Sequence, residues 1–156
     1  MPIKPTAKIN CQLIERRIQN ALQTQSSTET LKSLPITAEA VRGLLNRWQQ
    51  AQNARDYSAY QACYGQPFLG IKRTSNGGES RMSYGQWLND CRKMLKNTLS
   101  VEIQNLEILT EGETATAEFT QQFQSVNYND AGQKILKIKM FPNGAKITYE
   151  EMKYAY

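Results

Sequence analysis

Histidine, the side chain that most often moves protons near neutral pH, does not occur in this sequence. Its absence removes the Ser-His-Asp and Cys-His triads, an imidazole general base and most zinc sites. Three cysteines, Cys11, Cys63 and Cys91, are widely spaced and match neither CxxC metal spacing nor a disulfide framework. Without a partner base a nucleophilic thiol is not expected, so Cys63 and Cys91 read as small hydrophobes at apolar helical positions. The carboxylates available for acid–base chemistry are Asp56, Asp90, Glu118, Glu150 and Glu151. Asp56 reads as a helix cap. Glu118 alternates with Phe119 and so faces outward if Phe119 faces in. No carboxylate is expected on the inner face of the fold, and no catalytic residue, metal or cofactor is assigned.

These groups need a scaffold, and the hydrophobic periodicity supplies one. Thr37 is a suitable N-cap, and Val41, Leu44, Leu45, Trp48 and Ala51 recur at helical spacing after it. A second short helix is expected from Asp56 to before Gly65, half-burying Tyr57, Tyr60 and Tyr64. Residues 67–73 read as a short strand and 74–79 as a loop on residue type. Ser83 and Gln86 form an S-x-x-Q capping box, after which Trp87, Leu88, Cys91, Leu95 and Thr98 line one helix face. From residue 101 the period changes to two. Val101 and Ile103 alternate, then Leu106 and Ile108 do so in the opposite phase, which predicts a bulge near Asn105. Ala115, Ala117, Phe119, Gln121 and Phe123 share one face of a long strand. Leu136, Ile138 and Met140 mark another, and a turn at residues 142–144 leads into the last. The expected architecture is an α+β cone-shaped roll, with three helices packed on a curved antiparallel sheet of four to six strands.

Two units are expected. Residues 1–34 read as a leader, with a helix over 8–23 followed by a polar linker, and residues 35–156 as the folded domain. The leader carries five basic and two acidic side chains, the domain fourteen and twelve, so most of the charge imbalance sits outside the domain. Basic residues adjoin one another only in the short pairs Arg16-Arg17, Lys72-Arg73 and Arg92-Lys93, which argues against a nucleic-acid surface. No apolar run approaches the length of a membrane span. The start of the chain lacks the apolar core of a secretory signal, which taken alone points to the cytoplasm.

The order of elements resembles the nuclear-transport-factor-2-like superfamily, which includes ketosteroid isomerase and SnoaL-type cyclases. The residue pattern is most similar to the accessory C-terminal module of bacterial L,D-transpeptidase-type cell-wall enzymes. The matching positions run from Val41 to Glu150. They include Trp48, Ala51, Asp56, Tyr60, Tyr64, Phe68 and Trp87, then Val101-x-Ile103 and the alternating run from Ala115 to Phe123. Lys134-x-Leu136-x-Ile138, Lys146-Ile147 and Glu150 complete the pattern. Ala145 stands where that branch usually has tryptophan, and Cys91 stands where an arginine is expected. The resemblance implies a cone fold, no catalytic residues, a bacterial envelope setting and a longer parent chain.

One polar residue interrupts the inner face of the predicted sheet. Gln121 lies between Phe119 and Phe123, where an amide needs a partner, a water or a ligand. It reads either as a core amide bonded to a tyrosine or backbone group, or as the hydrogen-bonding group of a pocket. That pocket would be walled by Trp48, Tyr64, Trp87 and Phe123. Lys134 and Glu150, which the resemblance also marks, either converge on a charged ligand there or form an exposed cross-strand pair; the second is the preferred reading. The functional expectation is a non-catalytic binding or assembly module, for a small molecule or a cell-wall fragment. Self-association through the sheet as a homodimer is also expected, with a protein partner as the interaction-only alternative. An isomerase- or dehydratase-type enzyme using the same cone is the catalytic alternative.

Overall fold

Thr37 has extended backbone angles and its side chain accepts a hydrogen bond from Ala40 N at 3.0 Å, which opens helix α1 (Ala38–Asn53). This geometry comes from a computed structural model, which describes residues 34–73, 76–126 and 128–155. The helix over 8–23 and the linker expected in the leader lie outside the described residues. Val41, Leu44, Leu45 and Trp48 are fully buried along the inner face of α1. The far end of α1 is fixed to the sheet by side-chain amides. Asn53 accepts from Val101 N at 2.7 Å and donates to Val101 O at 3.3 Å, and Gln49 donates to the same oxygen at 3.0 Å. Asp56 caps α2 (Tyr57–Gln61) through a bond from Ala59 N at 3.1 Å. The helix stops sooner than its tyrosines suggest, and Tyr64 begins strand β1 (Tyr64–Arg73).

Strand β2 (Glu79–Met82) was not expected, because Glu79-Ser80-Arg81-Met82 carries no apolar alternation. It forms by antiparallel pairing with β1, Gly70 facing Met82 and Arg73 facing Glu79. Ser83 then starts α3 (Tyr84–Met94) with both bonds of the capping box present. This helix ends at Met94, one turn earlier than the apolar spacing implies, so Thr98 is exposed beyond it. The remaining strands are β3 (Leu99–Glu111), β4 (Thr114–Ser125), β5 (Asn129–Phe141) and β6 (Gly144–Ala155).

The six strands form one sheet in the order β2-β1-β6-β5-β4-β3. From β3 to β6 it is an antiparallel meander, as expected, but β1 lies parallel to β6 because the helix-bearing segment returns it to that edge. The predicted bulge is present. Asn105 adopts a left-handed φ of 56°, and the register slips between Gln104 and Glu107, which flips the inward phase from Ile103 to Leu106 and Ile108. Helix α1 packs against β3 and β6, α3 against β1 and β2, and the short α2 against α1. Among the described residues no helix is long and apolar enough to cross a membrane.

Candidate functional site

The inner face of β4 is apolar at Ala115, Ala117 and Phe119, and becomes polar at Gln121. From that point the helices no longer fill the concavity. A cavity of about 600 Å³ lies between α2, α3 and the strands β1, β4, β5 and β6. Its buried lining is Gln52, Tyr60, Ile71, Trp87, Cys91, Gln121, Lys134 and Glu150, of which the polar Gln52, Tyr60, Gln121, Lys134 and Glu150 make up its floor. Lys72, Met94, Phe123, Asp130 and Met152 are half-buried, and Arg73, Gly77, Tyr128 and Lys153 are exposed at the mouth. Phe123 and Tyr128 stack at 6.1 Å, and Tyr128 donates to Asp130 at 2.7 Å.

The floor rests on a chain of buried hydrogen bonds. Trp48 Nε1 donates to Tyr64 Oη at 2.9 Å, and Tyr64 Oη donates to Glu150 Oε1 at 2.5 Å. Lys134 Nζ holds the other oxygen, Oε2, at 2.7 Å. Tyr60 Oη is 2.8 Å from Tyr64 Oη and 3.2 Å from Cys91 Sγ, where it donates. Lys134 Nζ also sits 5.8 Å from the centre of the Trp48 ring. A lysine and a glutamate are tolerated at this depth because they pair with each other and the second carboxylate oxygen accepts from Tyr64.

Two expectations therefore fail. Lys134 and Glu150 are not an exposed cross-strand pair: they are 8% and 2% exposed. Nor is the inner face free of carboxylates, since Glu150 is on it. The cause is a bulge in β6. Ile147 pairs with Ile138 but Tyr149 pairs with Lys137, so Thr148 is an extra residue and the inward phase moves from Ile147 to Glu150. Trp87, Gln121, Phe123, Lys134 and Glu150 are brought together around one cavity, whereas Trp48 and Tyr64 lie behind its floor and support it. Asp56 and Glu118 behave as read, Glu118 accepting from Gln133 on the outer face. Tyr60, Cys91 and Gln52 belong to the lining without having been singled out for it. Tyr60 and Cys91 were legible as buried helical positions; Gln52 carried no signal.

Gln121 is 5% exposed, and its amide has no hydrogen-bond partner among the described residues. Gln52, by contrast, donates to Trp48 O within its own helix at 3.3 Å. Trp87 Nε1 is buried and has no partner among the described residues. The Trp87 ring packs against Phe68 at 5.5 Å and over the backbone of Gly70. A Cβ at Gly70 would lie 2.1 Å from Trp87 Cε3, so only glycine admits the ring. Gly70→Ala is expected to displace Trp87 from the cavity wall at a cost of about 1–3 kcal/mol, the usual range for overpacking. Chemical denaturation measures the loss, and unchanged stability would show that the ring has room to shift.

The protons on the floor are held tightly. Burial, reinforced by the Tyr64 phenol beside it, pushes the Tyr60 hydroxyl well above its ordinary range. Burial and then the Glu150 charge do the same to Tyr64. The Cys91 thiol is pushed up to about 11 by burial and then by Glu150. Each folded-state pKa is raised, so the neutral forms stabilise the fold fully below the unfolded values and that contribution is lost as pH rises. For Cys91 the window runs from the ordinary 9.0 to about 11. The urea midpoint should therefore fall between about pH 8.5 and about pH 11. Cys91→Ala should shallow that slope, and a flat profile would contradict the burial of these groups.

No protein-family model matches the sequence, and no curated protein matches it. Solved structures do resemble it in shape. Protein Bd1075 of Bdellovibrio bacteriovorus superposes with a TM-score of 0.62 at 19% identity, over 73% of this chain and 39% of that one. A nuclear-transport-factor-2-like protein of unknown function from Pseudomonas putida gives 0.62 at 13% identity, covering 72% and 82%. Another from Cytophaga hutchinsonii gives 0.63 at 11%, covering 74% and 96%. This chain thus spans well under half of the Bdellovibrio protein and most of the other two. With three helices closing one face of a six-stranded curved sheet, the chain has the nuclear-transport-factor-2-like fold.

Proposed function

We propose that residues 35–156 form a ligand-binding module that holds one small molecule in the cavity without turning it over. The observation that carries this reading is Gln121. Its amide makes no hydrogen bond among the described residues and is reached from the cavity, which leaves it open to a ligand or a water. Here the amide faces a cavity of about 600 Å³, a volume in the range of small-molecule sites, walled by Trp87 and Phe123. Gln121→Leu should lower ligand affinity by about tenfold while stability holds, because the amide bonds to no other described residue. Loss of stability in that variant, with affinity unchanged, would make Gln121 a structural amide.

A second reading is favoured by Glu150. An inward carboxylate beside two phenols is the equipment of proton-transfer catalysis. Against it, one oxygen accepts from Tyr64 and the other from Lys134, so neither is free to approach a substrate proton without breaking the network that supports the floor. Turnover of a bound molecule, abolished by Glu150→Gln in a folded protein, would favour the enzyme. In the binding reading the module serves a larger assembly, with cell-wall fragments among its ligands and a bacterial envelope setting. The outer sheet face, bearing Thr116, Thr120, Gln122 and Lys137, is the surface proposed for self-association, which light scattering tests.

A further inference from the structure

Charged side chains surround the cavity, yet their charges are already matched. On the floor Lys134 and Glu150 hold each other, and the second Glu150 oxygen accepts from Tyr64. Around the opening Lys72 is paired with Asp90, Arg73 with Glu79 and Glu151, and Lys153 with Glu118. The other lining carboxylate, Asp130, accepts from the Tyr128 hydroxyl at 2.7 Å. A ligand carboxylate would compete with an existing carboxylate at every base, and a ligand ammonium would meet bases as well as Asp130. Neither sign of charge is selected, and either would lose its hydration on entering.

Gln121 stands apart from these pairs. Its amide is 5% exposed, lines the cavity and makes no hydrogen bond among the described residues. Across the β4–β5 ladder it faces Gly132, which has no side chain to cover it. A glutamine amide presents an acceptor and two donors in one plane. Its complement is a group that carries a donor and an acceptor side by side, so that two parallel hydrogen bonds close. Trp87 and Phe123 stand beside it as flat apolar walls of the same cavity.

We propose that the cavity selects an uncharged ligand with an apolar ring body and an amide edge, an N–H beside a C=O as in a primary carboxamide or a lactam, and that Gln121 recognises that edge. This rests on the reading of the cavity as a ligand site and adds the ligand's class and the residue that distinguishes it. A rigid ring suits the aromatic walls because it loses less freedom on binding than a flexible chain. An amide entering the site exchanges its bonds to water for bonds to Gln121. A ligand without the N–H leaves the Gln121 oxygen unpaired.

The full chain is titrated with four compounds that share one ring system: 2-naphthamide, N,N-dimethyl-2-naphthamide, 2-naphthoate and 2-naphthylmethylammonium. Ligand-observed NMR gives the affinities, and the protein's indole and side-chain amide signals report where each compound sits. The primary amide should bind about tenfold more tightly than each of the others. Its affinity should hold between low and high salt, because no ligand charge is involved. In Gln121→Leu the primary amide should fall to the level of the dimethyl amide, which itself should change little. Naphthoate or the ammonium compound binding at Trp87 as tightly as the primary amide would overturn the uncharged class and leave the cavity as a ligand site. Equal affinity of the two amides for the unmodified chain, or a primary-amide preference that survives Gln121→Leu, would overturn the part given to Gln121. Failure of all four compounds to bind would overturn both readings.

Discussion

Replacing Glu150 with leucine, with Lys134 left in place, is expected to destabilise the domain by about 3–5 kcal/mol. The substitution leaves an ammonium group without its carboxylate at a position 8% exposed, and it removes the acceptor of the Tyr64 hydroxyl. Lys134→Met should cost a similar amount, since the carboxylate is then the uncompensated charge. The two losses should not add. In the double variant Lys134→Met/Glu150→Leu no buried charge remains, and apolar side chains of similar volume take the space, so most of the stability should return. Urea denaturation of the four proteins gives the coupling. An exposed pair would behave otherwise, each single change costing well under about 1 kcal/mol with simple additivity. That result would contradict the burial of the pair.

Trp48→Ala should be comparably damaging, at about 3–5 kcal/mol. The indole is fully buried, meets Phe119 edge-on at 5.9 Å, and is the donor that orients the Tyr64 hydroxyl. Its removal opens a void behind the floor and frees Tyr64 to rotate away from Glu150. Trp48→Phe keeps much of the volume but loses the N–H, so it should cost less and still loosen the floor. A loss below about 1 kcal/mol for the alanine variant would place the ring outside the core.

These two predictions mark where sequence reading ended. Local signals carried far: Thr37, Asp56 and Ser83 cap the helices they precede, and the phase change between Ile103 and Leu106 located a bulge. Lys134 shares its parity with Leu136 and Ile138, so its inward direction was legible, though its partner was not. Glu150 was hidden because the extra residue Thr148 shifts the phase of β6, and nothing in Ala145-Lys146-Ile147-Thr148-Tyr149 announces it. Strand β2 and the parallel pairing of β1 with β6 depend on tertiary contacts rather than on periodicity. Alternation also assigns a side chain to a face without giving its depth. Trp48 and Phe123 both point inward, yet one lies behind the floor and the other lines the cavity.

The two tryptophans make the central claim directly measurable. The chain contains only Trp48 and Trp87, so its indole N–H region shows two side-chain signals. Trp48 Nε1 is committed to Tyr64, whereas Trp87 Nε1 has no partner among the described residues and its ring forms part of the cavity wall. In a nitrogen–proton correlation spectrum, a bound small molecule should shift the Trp87 indole signal together with the Gln121 side-chain amide and leave the Trp48 signal nearly still. Binding that moves neither Trp87 nor Gln121 would contradict the assignment of this cavity as the ligand site.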